Sequence, residues 1–128
     1  MVNLVLREEP IVYIIEPDES IREGLTTLLG IVDMPTQFFP HARAFLDSTS
    51  MESLNSGCLI IDAELPGFGC LALLKKLRNA DVSLPVFVLA NTLATDIVKQ
   101  TLQAGATDVI LKPLVAEHLL ARLQQVLN

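Results

Sequence analysis

The chain has 128 residues, the size of one domain, of which 51% are hydrophobic, and its mean hydropathy is +0.48. Lys and Arg number 9 against 15 Asp and Glu, giving a net charge of −6 with no basic cluster, which argues against direct nucleic-acid binding. No apolar run approaches the ~20 residues that span a bilayer, and Arg7, Glu8 and Glu9 follow too short an apolar stretch to end a secretion signal, so a cytoplasmic location with no membrane partner is expected.

Residues 1–10 read as a short leader, and residues 11–128 as one domain. Ile11–Ile15 is a five-residue, β-branched apolar run, which favours a buried strand. Glu16-Pro17-Asp18-Glu19-Ser20 interrupts it. Ile21, Leu25, Leu28 and Leu29 then recur at helical spacing, with Ser20 and Glu23 placed as a capping box or Asp18 as the cap, and Gly30 near the helix end. Thr36–Phe39 predicts a second strand and Ala42–Leu46 a short helix. Ser48 to Gly57, rich in Ser and Asn, predicts a surface loop.

Cys58–Asp62 is a third strand, apolar until its last residue, and Pro66-Gly67-Phe68-Gly69 a turn. Leu71, Leu74 and Leu77 mark a helix with Lys75, Lys76 and Arg78 outward. Pro85–Ala90 is the fourth strand, Thr95–Ala104 a helix ended by Gly105, and Asp108–Leu111 the fifth strand. Val115, Leu119, Leu120, Leu123 and Leu127 line the last helix. Cys58 and Cys70 are twelve apart, neither a metal spacing nor a redox pair, and read as buried thiols. His41 and His118 are isolated and read as surface residues. Five β–α units with continuous apolar strands imply a parallel sheet covered by helices on both faces.

In such a sheet, ligands sit beyond the carboxyl ends of the strands. Those ends are Glu16, Asp62, Ala90 and Lys112. Two carboxylates and a lysine at one edge suit a divalent cation and an oxyanion. Hard cations take carboxylate oxygens. A lysine offers a point charge to a phosphoryl group, and an aspartate beside both can act as a nucleophile. Taken singly, each has a plainer role: Asp62 as a turn cap, Lys112 as a solvated loop residue.

Three segments carry a resemblance to a known family. They are Val12-Tyr13-Ile14-Ile15-Glu16-Pro17-Asp18-Glu19-Ser20, Leu59-Ile60-Ile61-Asp62-Ala63-Glu64-Leu65-Pro66-Gly67, and Ala104-Gly105-Ala106-Thr107-Asp108-Val109-Ile110-Leu111-Lys112-Pro113. Over residues 11–127 the chain resembles the receiver domains of bacterial two-component response regulators, and its local wording is similar to receivers that precede a helix-turn-helix output domain. The resemblance implies a flavodoxin-like, doubly wound, five-stranded parallel sheet of order 2-1-3-4-5 with five helices. It implies that Asp62 accepts a phosphoryl group from a histidine kinase or phosphotransfer protein. It further implies that Lys112 pairs with Asp62 and then with the phosphoryl oxygens, that the Lys112–Pro113 bond is cis, and that an output domain or partner protein reads the signal. The implied cofactor is Mg²⁺, held by Asp62, the Glu64 carbonyl and an acidic pair after the first strand.

The chain departs from that pattern at three positions. Pro17 stands where the family has the second acid of the pair, Ala90 where it has Thr or Ser, and Val109 where it has an aromatic residue. Losing a carboxylate removes on the order of several kcal/mol of Coulomb attraction before solvation. Losing the hydroxyl removes about 1.5–3 kcal/mol of hydrogen bonding to a charged group. Weak Mg²⁺ binding through Glu16, Asp62 and Glu64, slow phosphorylation and a blunted switch are therefore expected. Two other readings stand beside this one. One is a receiver that docks partners without phosphorylation. The other is a small aspartyl-phosphate phosphatase, suggested by Asp62-x-Glu64 but lacking the Gly-Thr continuation and any room for a cap, so no enzyme is expected. Leu93, Leu114 and Val115 exceed what a lone domain needs on the face of the last two helices and strand five, which predicts a homodimer or docking surface there.

Overall fold

A computed structural model describes residues 10–50, 54, 56–65 and 69–127. Residues 1–9 of the leader expected over 1–10, residues 51–53 and 55 of the loop expected over 48–57, and residues 66–68 of the turn expected over 66–69 lie outside the described residues. Five strands and five helices alternate: β1 (Ile11–Ile15), α1 (Glu19–Ile31), β2 (Thr36–Phe39), α2 (Ala42–Ser48), β3 (Gly57–Asp62), α3 (Cys70–Asn79), β4 (Val86–Ala90), α4 (Asp96–Gln103), β5 (Asp108–Leu111) and α5 (Ala116–Leu127). All strand pairs are parallel, and the sheet order is β2-β1-β3-β4-β5, as the resemblance implied.

The two-residue period of the strands divides the core. On one face Tyr13, Ile15, Leu59, Ile61, Val86 and Val88 pack under α2, α3 and α4. On the other, Val12, Ile14, Cys58, Ile60, Phe87 and Leu89 meet Leu25, Leu29, Leu119 and Leu123 of α1 and α5. Because both faces are covered, β1, β3 and β4 read as unbroken apolar runs. The first face is tightened by Phe45, whose ring stands edge-on to Tyr13 and Phe39 at centroid distances of 5.5 and 5.3 Å.

Helix ends follow side-chain chemistry. Asp18, the second of the two expected caps, opens α1: its Oδ1 accepts from the N–H groups of Ser20 and Ile21 at 2.9 and 3.2 Å. Gly30 is the penultimate residue of α1, and the left-handed turn beyond belongs to Asp33 (φ 55°). The helix expected from Thr95 begins at Asp96, with Thr95 as its cap. His41, read as a plain surface residue, is exposed but caps α2 through Nδ1, which accepts from the Ala44 N–H at 3.1 Å. The loop after α2 is not wholly a surface loop, because Leu54 is buried in the core under β1 and β3.

Candidate functional site

Parallel pairing puts the carboxyl ends of the strands along one edge. Ile15 is in register with Ile61, so the next residues, Glu16 and Asp62, lie side by side. Ala90 pairs with Leu111, and the Lys112 N–H donates to the Ala90 carbonyl at 2.8 Å, which carries Lys112 to the same edge. The structure thus brings together the three charged residues singled out from the sequence. The Lys112 Nζ lies 3.3 Å from Glu16 Oε1 and 3.4 Å from Asp62 Oδ2. The Lys112–Pro113 bond is cis.

Burial sets the electrostatics. Glu16 is 0% exposed and Asp62 8%. At an effective dielectric of ~20, each contact with the ammonium supplies about 4 kcal/mol of attraction, set against a desolvation cost of several kcal/mol per ion. Two carboxylates share one ammonium, so the cluster carries an excess negative charge. Burial pushes the Glu16 carboxyl above its ordinary value, the Asp62 charge pushes the same way, and Lys112 pulls it back. The remaining contacts are backbone donors: the Asp18 N–H reaches Glu16 Oε1 at 3.3 Å, and the Glu64 N–H reaches Asp62 Oδ1 at 3.0 Å. Glu16 Oε2 is buried with no hydrogen-bond partner among the described residues.

Not every expected residue joins this cluster. The Glu64 side chain is exposed, and among the described residues no three His, Cys, Asp or Glu side chains gather as a metal site. The Glu64 carboxylate therefore does not gather with those of Glu16 and Asp62. Glu64 falls in the turn after β3, where its backbone N–H, rather than its carboxylate, faces Asp62. Pro17 is exposed and offers no side-chain oxygen, Ala90 closes β4 with a buried methyl, and Val109 is half-buried in β5. The full burial of Glu16 was not legible in the sequence, because β1 ends one residue earlier and a polar residue after a strand ordinarily faces solvent.

Beside the cluster, a groove of 270 Å³ runs between α1 and the segment after β5, lined by Leu25, Leu28, Pro113 and Leu114. A second groove of 470 Å³ lies along β5 and α5 and includes Leu93, Leu111, Val115 and His118. Leu93, Leu111 and Val115 are exposed large apolar residues of that second face. Leu114, grouped with them from the sequence, instead turns to the α1 side and packs against the core there. Cys58 and Cys70 are buried thiols, as the sequence implied, with pKa values pushed up to about 12 by burial. Among the described residues no helix is long and apolar enough to cross a membrane.

Comparison with known proteins agrees with this geometry. Residues 12–124 match the family model described as the response regulator receiver domain. The chain is 26% identical over 117 residues to the transcriptional regulatory protein FixJ of Bradyrhizobium diazoefficiens, covering 91% of this chain and 56% of that protein. It is 28% identical over 121 residues to the response regulator protein TmoT of Ectopseudomonas mendocina, covering 94% of this chain and 54% of that one. It thus spans about half the length of these curated relatives. The crystal structure of a response regulator receiver protein from Pseudoalteromonas atlantica superposes with a TM-score of 0.80 at 28% identity, covering 91% of this chain and 96% of that one. With the family model matched across nearly the whole sheet, and an aspartate and a lysine meeting where the strands end, the chain belongs to the response regulator receiver domains of two-component signalling.

Proposed function

We propose that this domain accepts a phosphoryl group on Asp62 from the phosphohistidine of a histidine kinase or phosphotransfer protein. The observation that carries the reading is the Asp62 carboxylate at the end of β3 with the Lys112 ammonium 3.4 Å away, in a chain of this family. An Asp62 oxygen attacks the phosphorus, the P–O bond forms as the P–N bond to the donor imidazole breaks, and the departing imidazole takes a proton. Lys112 then pairs with the new phosphoryl oxygens, a charge-assisted contact stronger than a neutral one. The Glu64 N–H, already on Asp62 Oδ1, holds the carboxylate in one orientation.

Receiver domains of this family generally bind Mg²⁺ at the phosphorylation site. The unpartnered, buried Glu16 Oε2 fits such an ion or its water shell. Asp62, Glu16 and the Glu64 carbonyl would hold it, and it would neutralise charge on the transferring phosphoryl oxygens. With Pro17 in place of a carboxylate, binding is weak. Incubation with acetyl phosphate and Mg²⁺, read by intact mass, tests the proposal: the wild type gains one phosphoryl group and Asp62→Asn none. If neither acetyl phosphate nor a phosphoramidate modifies Asp62, and beryllofluoride leaves the amide spectrum unchanged, the proposal fails.

A specific observation also favours phosphorylation-independent docking. Ala90, buried at the end of β4, has no hydroxyl to follow a phosphoryl group. On either reading the partners are a kinase or phosphotransfer protein and an output domain or partner protein. The exposed Leu93, just before α4, Leu111 at the end of β5 and Val115, just before α5, supply a homodimer surface. The domain works in the cytoplasm as a signalling module and not as an enzyme, without itself touching nucleic acid or membrane.

A further inference from the structure

Arg78 is a half-buried cation with no carboxylate partner among the described residues. Its guanidinium donates instead to backbone carbonyls at two helix ends. Nε and Nη2 reach the Gly105 carbonyl, just beyond α4, at 3.3 and 2.8 Å, and Nη1 reaches the Val82 carbonyl, beyond α3, at 2.7 Å. One planar fork thus ties the carboxyl end of α4 to that of α3. Gly105 makes room for it: φ there is 106°, and a Cβ would stand 2.9 Å from Arg78 Nε. The last amides of α4 are firmly bonded too, the N–H groups of Ala104 and Ala106 donating to the Gln100 and Thr101 carbonyls at 2.9 and 3.0 Å.

The other end of α4 is held loosely. The Lys99 N–H donates to the Thr95 carbonyl and the Val98 N–H to Thr95 Oγ1, both at 3.4 Å. Residues 91–94, which run from the end of β4 at the site to this cap, are exposed. Between α3 and α4, grooves of 370 and 220 Å³ open along Leu71 and Lys75 on one side and Ile97, Gln100 and Gln103 on the other. A helix tied at one end, loosely bonded at the other and with space beside it moves as a lever. We infer that Arg78 is a positioning residue that makes the carboxyl end of α4 a pivot, so that α4 moves at its amino end, where residues 91–95 arrive from the site. The inference goes beyond phosphoryl acceptance, because the pin is built from residues outside the Glu16, Asp62 and Lys112 cluster. It confines movement to the end of α4 beside Leu93, which belongs to the exposed apolar face, whatever event moves residues 91–95.

The test is amide hydrogen exchange by NMR on the wild type, Arg78→Met and Arg78→Lys, each rate compared with that of Leu59, whose N–H bonds the Pro85 carbonyl at 2.8 Å within the central sheet. In the wild type, Ala104 and Ala106 should be protected at least about tenfold more than Val98 and Lys99. Arg78→Met should lose at least about tenfold of that protection at Ala104 and Ala106 relative to Leu59. Arg78→Lys, whose point charge serves one carbonyl, should fall between. Equal protection at the two ends of wild-type α4 would overturn the inference. So would a loss in Arg78→Met that Leu59 shares equally, since that marks a residue supporting only the fold as a whole. If Arg78→Met does not fold, Arg78→Lys decides the matter: a loss confined to Ala104 and Ala106 supports the pivot, and no loss there overturns it.

Discussion

Replacing Pro17 with Asp should make the domain less stable without metal and bind Mg²⁺ more tightly, two opposite effects of one charge. Pro17 is exposed, donates no N–H, and precedes the Asp18 cap, so the substitution breaks no hydrogen bond. We take about 6 Å between the new carboxylate and each of Glu16, Asp62 and Lys112 as the scale of the interaction. At an effective dielectric of ~20 each such pair is worth about 3 kcal/mol. Two repulsions against one attraction leave about 3 kcal/mol, which solvent screening at an exposed position reduces to about 1 kcal/mol. Losing the ring frees the unfolded chain and adds about 0.4–1 kcal/mol. The metal-free variant should therefore melt about 5–8 °C below the wild type.

With Mg²⁺ the order reverses. A further direct carboxylate on a dication should tighten binding by on the order of ten- to a hundredfold, about 1.4 kcal/mol per decade. Mg²⁺ at a hundred times the dissociation constant adds about 2.7 kcal/mol of stability, enough to cancel the deficit. Thermal unfolding in EDTA and across a Mg²⁺ series measures both terms on one sample. Equal Mg²⁺ affinity in the two proteins would refute the reasoning and show that Pro17 is not where the third ligand was lost.

Glu16, raised above its ordinary 4.5 chiefly by burial, gives stability that is full below 4.5 and lost as pH rises through its folded value. The unfolding free energy of the wild type relative to Glu16→Gln should thus grow as pH falls from neutral toward 4.5, and a pH-independent difference in denaturant titrations would refute this. Ala90→Thr should restore a hydroxyl donor worth about 1.5–3 kcal/mol to the phosphoryl-bound state, seen as beryllofluoride binding at least about tenfold tighter. Unchanged affinity would mean that the β4 terminus does not face the phosphoryl group. Val115→Asp, at a position 50% exposed, should leave the melting temperature within a few degrees while dissolving any dimer seen by analytical ultracentrifugation. A dimer that survives it lies on another face.

The fold was legible because its signals are collective. Val12–Ile15 and Val86–Ala90 are buried throughout, and a run of that length with β-branched residues has few other solutions. Asp62 and Lys112 were legible for the same reason, since each closes or follows such a run. Legibility ended where a single side chain chooses between two directions. The sequence does not show that Leu114 turns inward while Val115 stays out, that Leu54 drops into the core from a polar loop, or that Glu64 offers its N–H and not its carboxylate. These outcomes depend on turn geometry set by neighbours distant in the chain. The His41 cap did leave a signal, an acceptor three residues before the Ala44 N–H at a helix start, but histidine is not among the residues one first looks for there.

The three altered positions share a physical property that explains how the fold tolerates them. Pro17 sits on the surface just before a helix cap, where its fixed φ suits the chain and no donor is needed. Ala90 is buried at the end of β4, where its methyl packs against the core. Val109 keeps a β-branched residue in a parallel strand. None of them leaves a cavity or an unpaired charge, so selection on folding alone would not remove them. The charge balance at Glu16, Asp62 and Lys112 is different, because one ammonium holds two carboxylates that repel each other. Deleting Lys112 leaves two buried charges without their partner, a loss of about 3–5 kcal/mol. Stability therefore preserves the lysine beside the two carboxylates whether or not a phosphoryl group ever arrives. What bears on signalling is the set of positions that folding does not need. That is why Pro17 and Ala90, rather than Asp62 itself, are the places where experiment can separate a working receiver from a docking module.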